Sequence, residues 1–251
     1  MRLLETKKQE NKIILLLTIT YTVSYITRIN YGSIVAEMEA ITKISRELLS
    51  MAVTGSFFSY GIGQVISGIL GDRFSPRKLV HMGLIVTVLM NLLIPLCFDP
   101  YQLVIVWTIN GFAQSFLWPP MVRLMNVLLS QESYNRASVI VSWGSAFGTI
   151  LVYLFAPIII SLAGWKAVFV CAAGCGIVMV LIWWKLCPDL PKQPVCFRTG
   201  MKENTSRHFI TPLMLCIMIT VILQGMLRDS VTTWMPTYIS DTYHLSQRRK
   251  N

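Results

Sequence analysis

The sequence predicts an all-α polytopic membrane protein, a bundle of six spanning helices followed by a seventh. Three observations predict it. Mean hydropathy is +0.57, with 54% hydrophobic and only 14% charged residues, whereas charged residues make up about a quarter of a soluble domain. Seven largely uncharged runs recur along the chain, each near the roughly twenty residues that cross a hydrocarbon core of about 30 Å. Lysine and arginine gather in alternate connectors, as the positive-inside rule requires.

The runs fall at 13–36, 48–70, 79–98, 101–127, 137–163, 165–186 and 210–235. Each is expected to be helical, because lipid offers no partner for open backbone groups. The tail 1–12 carries Arg2, Lys7, Lys8 and Lys12. With the run after it, this start resembles a signal peptide, but no small-residue cleavage site follows and further spans do, so an uncleaved first helix is expected. Runs 1–6 form a six-helix bundle over 13–187. The connector 188–209 is the longest and most polar, with Pro188, Pro191 and Pro194, and is expected to be a linker. Run 7 is assigned to 210–236 and an outer-side tail to 237–251.

Basic residues on one side are those of the tail, Arg73, Arg77 and Lys78 between runs 2 and 3, Arg123 and Arg136 around the 4–5 connector, and Lys185, Lys192, Arg198, Lys202 and Arg207 before run 7. Before the C-terminal tail, the other side has only Lys43, Arg46 and Lys166. That asymmetry places the N-terminus and the 188–209 linker in the cytoplasm. It also accounts for the net charge of +10 without a nucleic-acid face. The six cysteines lie mostly in or beside apolar runs and read as packing residues. His81, His208 and His244 show no metal-ligand spacing. No Walker loop, Gly-rich nucleotide motif or nucleophile–base pair is present, so neither ATP use nor covalent catalysis is expected, and no cofactor or metal.

Two arginines stand inside apolar runs, Arg28 in the first and Arg228 in the seventh. An intramembrane arginine is costly to insert and marks a functional site by default. Guanidinium is always charged and presents a planar fork to phosphate or carboxylate oxygens. The competing readings are that Arg28 pairs with Glu37 and Arg228 with Asp229, or that both snorkel to the interface. Tyr25, Tyr31, Tyr60, Trp118 and Trp143 are candidates to line a cavity beside them, or else interfacial aromatics.

Between runs 2 and 3 lies Gly68-Ile-Leu-Gly-Asp72-Arg73-Phe-Ser-Pro-Arg77-Lys78. Its glycines are expected to let helices approach, and its charges to pair and cap helix ends. This segment resembles the cytoplasmic loop motif of the major facilitator superfamily. Tyr60-Gly61-x-x-Gln64, Gly111-Phe-Ala-Gln114-Ser-Phe-Leu-Trp118-Pro119-Pro120-Met-Val-Arg123, and the segments around Arg28 and Arg228 narrow the resemblance to the organophosphate:phosphate antiporter family. The resemblance implies a substrate-binding set of Arg28, Arg228, Tyr25, Tyr31, Tyr60, Gln64, Trp118 and Trp143. It implies a cytoplasmic gate of Gly68, Asp72, Arg73, Arg77 and Lys78, exchange of an organophosphate for phosphate, and a bacterial plasma membrane. Some similar proteins are sensors of external sugar phosphate instead.

The departures are Gln64, where many phosphate-exchanging members have lysine, and Phe147, where they have histidine; Arg136 and Trp143 are kept. Another organic anion is therefore a possible substrate. In that family the stretch ending at Asn251 runs on into an eighth helix, so the sequence suggests a truncated product lacking most of the second bundle.

Overall fold

The computed structural model describes residues 7–189 and scattered positions between 212 and 242. Eight α-helices and one short 3₁₀ turn make up the first unit, with no strand among the described residues. They are α1 (Lys7–Ser33), α2 (Val35–Thr42), α3 (Arg46–Arg73), α4 (Pro76–Leu93), α5 (Pro100–Gln114), α6 (Trp118–Leu128), α7 (Gln131–Ala163) and α8 (Trp165–Leu186). Five of them, α1, α3, α4, α7 and α8, are long and apolar enough to cross a membrane.

The expected fourth span is two helices rather than one. Ser115, Phe116 and Leu117 make tight i→i−3 backbone bonds to Phe112, Ala113 and Gln114, and α6 restarts with Pro119 and Pro120 in its first turn. Proline has no N–H to give to Ser115 or Phe116 carbonyls, which ends α5, yet it suits a helix start, which begins α6. At about 22 Å and 16 Å neither half spans the core alone, while the pair does. The first span also starts earlier than residue 13, because Lys7–Lys12 already lie in α1. α7 is about 50 Å long by its 33 residues, longer than the hydrocarbon it crosses.

Helix ends follow the sequence locally. Ser45 and Ser130 cap α3 and α7 through their hydroxyls, and Asp99 and Gln102 form a capping box on α5. Gly164, at φ 79, both ends α7 and starts α8. That left-handed geometry favours glycine and allows a one-residue reversal between two long helices.

α1 packs along α7 and α8, α3 along α5, and α4 along α8 and α5. Lipid tails are as apolar as the side chains, so close approach and buried hydrogen bonds hold such a bundle together. The close approaches are not at the loop glycines. A Cβ on Gly148 would lie 2.5 Å from the Thr22 carbonyl and one on Gly111 would lie 2.2 Å from the Ser56 carbonyl, whereas Gly68 and Gly71 have open space around them. Gly68 lies near the exposed end of α3, so its expected role in helix packing is not met within this bundle.

Two apolar clusters stack along the bundle. One, near the N-terminal end of α1, includes Leu17, Leu84, Leu124 and Trp183; the other includes Tyr31, Met38, Trp107 and Phe169. Between them the helices contribute buried Ser24, Thr27, Asn30, Asn91, Asn110 and Gln114. The second unit, Pro191–Asn251, is helical at every described position between 212 and 242, which include Tyr238, Ile239 and Thr242 in the stretch read above as a tail. Within it Thr220 donates to the Cys216 carbonyl at 2.8 Å.

Candidate functional site

α1 presents Tyr21, Tyr25 and Arg28 on one stripe, since residues four and seven apart share a helix face. The stripe meets α3 and α6. The Arg28 guanidinium carbon lies 4.0 Å from the Tyr60 ring centroid, 5.7 Å from that of Tyr25 and 5.8 Å from that of Phe57. Tyr21 packs on Tyr25 at 5.1 Å and on Trp118 at 4.8 Å. A cation over an aromatic face is attracted by the ring quadrupole, by roughly 0.5–2 kcal/mol depending on solvation. Arg28 is half-buried, and the N–H donors of a guanidinium lie in its plane, apart from a ring stacked on its face.

The structure thus brings Arg28, Tyr25, Tyr60 and, through Tyr21, Trp118 together. Gln64 lies half-buried one turn after Tyr60 on α3. Tyr31 belongs elsewhere. It is 0% exposed, stacked on Trp107 at 4.9 Å and edge-on to Phe169 at 6.0 Å, so it is a core residue of the bundle rather than a cavity wall. Trp143 is 61% exposed on α7, on a stripe with Phe147 at 57%. α7 turns Gly144 and Gly148 toward α1, which sends those two rings outward. Arg228 and Asp229 lie outside the described residues.

Behind Arg28 is the polar layer. Asn91 and Asn110 both donate to the Thr27 carbonyl, at 3.1 and 3.3 Å. Gln114 donates to the Thr27 hydroxyl at 3.0 Å and to the Ser24 carbonyl at 3.2 Å. Asn30 donates to Asn91 at 2.7 Å and accepts the Tyr31 N–H at 3.0 Å. Sequence reasoning missed Asn91 and Asn110, although amides inside apolar runs carry the same signal that singled out the arginines. It also missed Phe57 and Tyr21, which no motif marks.

On the far side of α1, a cleft of about 280 Å³ opens between α1, α7 and α8, lined by Ile26, Leu151, Phe155, Val168 and Cys171 among others. Its one strongly polar side chain, Asn30, already bonds Asn91 and Tyr31. The cleft suits hydrocarbon rather than an anion. No group of histidines, cysteines or carboxylates among the described residues is arranged to hold a metal.

At the N-terminal end of the bundle, the loop motif joins α4 to the end of α8. Arg77 donates to the Trp184 carbonyl and covers its ring at 5.0 Å, and Trp183 Nε1–H donates to the Arg77 carbonyl at 3.0 Å. A cation on the last carbonyls of a helix is favourably placed. Ser75 donates to Asp189 at 2.8 Å. Arg73 and Lys78 are exposed. Nearby, the buried Glu10 carboxylate accepts from the Ser130 N–H at 2.9 Å and the Ser133 hydroxyl at 2.6 Å, fastening α1 to the start of α7.

Comparison with known proteins agrees with this architecture. Human sodium-dependent phosphate transport protein 3 is 25% identical over 241 residues, covering 86% of this chain and 55% of its own length. Membrane sensor protein UhpC of Escherichia coli K12 is 24% identical over 92% of this chain and 57% of its own. A probable hexose phosphate transport protein of Chlamydia muridarum is 28% identical over 58% of this chain. The crystal structure of a bacterial homolog of the human lysosomal transporter Spinster, inward-facing and unoccupied, superposes with a TM-score of 0.71 at 16% identity, over 94% of this chain and 56% of its own. The chain spans just over half the length of these full-coverage relatives. The family model described as Major Facilitator Superfamily matches residues 17–249, and with a bundle of this form the chain belongs to that superfamily.

Proposed function

We propose that this chain forms the first bundle and seventh helix of a secondary transporter that exchanges an organic anion, most simply an organophosphate, for inorganic phosphate. The observation that carries the reading is Arg28 held over Tyr60 between Tyr25 and Phe57 in mid-bundle. Arg228, on the seventh run, is the second anion ligand in this proposal. The relatives support it, being named for phosphate and hexose phosphate transport. Alternating access needs two bundles rocking about a midplane site, so activity is assigned to the assembly in which a second bundle completes the cavity. The membrane is a plasma membrane with the N-terminus and the 188–209 linker in the cytoplasm. Arg77, with Arg73 and Lys78 beside it, works at the cytoplasmic gate with Gly68 and Asp72.

Phosphate homoexchange in liposomes by the protein completed with its second bundle, with Arg28→Lys alongside, tests this reading. Exchange that falls at least about tenfold in the variant supports it, because lysine lacks the bidentate fork; equal exchange overturns it. A second reading, a sensor of external sugar phosphate, is favoured by the likeness to UhpC. Substrate binding without flux, together with signalling through a partner, would select it.

A further inference from the structure

The carbonyl that receives both Asn91 and Asn110 is that of Thr27, which belongs to the same peptide group as the Arg28 N–H. Two amides from two different helices, α4 and α5, therefore converge on the peptide that carries the arginine. Gln114, at the end of α5, holds the Thr27 hydroxyl and the Ser24 carbonyl just before it. Asn91 is itself held by Asn30 and by its own bond to the Thr87 carbonyl at 2.9 Å. Every one of these side chains is at least nine-tenths buried.

Support of the helix alone does not explain Asn110. Its Oδ1 is buried without a hydrogen-bond partner, as is the Thr87 hydroxyl. A buried acceptor left unpaired is expensive, and an apolar residue of similar shape would spare the core that penalty. What Asn110 supplies in return is the second side-chain donor on the Thr27 carbonyl.

We infer that Asn91 and Asn110 are positioning residues: they fix the rotation of α1 about its axis at Thr27–Arg28 and so aim the guanidinium over Tyr60 toward the anion. The inference rests on the reading of Arg28 as the anion ligand. Within α1 the helical ladder already sets each peptide plane relative to the helix axis, and two donors from separate helices on one carbonyl then fix how that face of the helix is turned. A small turn of the helix at residue 28 is amplified along the long arginine side chain, and a displacement of about 1 Å is enough to spoil a bidentate contact.

The test uses the whole chain in lipid nanodiscs with ¹⁵N-arginine. The Arg28 Nε–H resonance is assigned by its loss in Arg28→Lys and its ring-current shift by Tyr60→Leu. Asn91→Leu and Asn110→Leu are each expected to move that resonance toward its position in Tyr60→Leu, while Asn126→Leu, at an exposed site on α6, leaves it in place. Binding of labelled inorganic phosphate is measured on the same samples and is expected to weaken roughly fivefold in each amide variant, about what one hydrogen bond supplies. In the Arg28→Lys background the amide substitutions should add no further loss, a coupling that a purely structural role would not produce. Asn110→Ala, smaller than leucine and without a donor, decides the matter if a leucine variant does not fold. An unmoved resonance in the folded variants overturns the inference. Phosphate binding that is the same in Arg28→Lys as in the original chain overturns the anion reading instead, and a moved resonance then leaves the positioning role standing.

Discussion

A methyl group at residue 148 would collide with the carbonyl of Thr22 on the neighbouring helix. Gly148→Val is therefore expected to separate α1 from α7 and to lower the thermal midpoint in detergent by the equivalent of about 1–3 kcal/mol or more, followed by circular dichroism. Gly68→Val, where nothing lies within 4 Å, should stay within about 0.5 kcal/mol of the original. The sequence marks Gly68 through a motif and leaves Gly148 unremarked, because which glycine faces a neighbour depends on rotation of the whole helix. Cysteine 187, just beyond α8, has its thiol pushed up to about 12, by burial first; the Arg77 charge opposes the shift and Asp189 adds to it. Below that pH the thiol stays protonated, and the thiolate forms only as pH rises toward 12. Cys187 should thus react with maleimide at pH 8 far more slowly than glutathione added to the same sample, as read by mass spectrometry of the labelled chain.

At the scale of elements, the fourth span shows both the reach and the limit of sequence reasoning. Its existence is legible in an apolar run, and Pro119-Pro120 is visible as a cost to any helix. That the cost is met by ending one helix and starting another, with Trp118 turned onto Tyr21, depends on neighbours that no local pattern records. Pro119→Ala together with Pro120→Ala restores two N–H groups for the Ser115 and Phe116 carbonyls. The two halves should then fuse, seen as slower amide exchange across 115–121 and a changed Trp118 emission. Glu10 makes the same point for α1. A carboxylate in a basic N-terminal tail looks like a solvated charge, but the start of α7 folds back onto it. Glu10→Ala is expected to cost about 1–3 kcal/mol, the penalty for leaving buried donors unmet, measured by urea denaturation in mild detergent.

For the whole molecule, fold class was readable from hydropathy and charge because the bilayer imposes both. The candidate site was readable only in part. Arg28, Tyr25, Tyr60 and Trp118 converge, but Tyr31 and Trp143 alternate with them in type and not in direction, and a motif does not state the rotation of a side chain about its helix. Counting α5 and α6 as one crossing gives an even number of crossings between the N-terminus and residue 189, so both ends of the first unit share a side. A phosphatase fusion after Asp99 should be active outside the cell, while one after Gln193 should be inactive and its green-fluorescent counterpart bright. The opposite pattern would reverse the orientation assigned from the basic connectors.

The break between α5 and α6 also bears on how the protein is made. An insertion machine that samples one segment at a time meets two half-length helices there, neither long enough to settle in lipid alone. α5 lies against α3 with Gly111 on Ser56 and Gly63 on Ser115, a fit that can form only once both segments are present. Partitioning of the fourth span thus depends on the second already waiting beside the exit, which makes biogenesis of this bundle an ordered, pairwise event rather than a series of independent insertions.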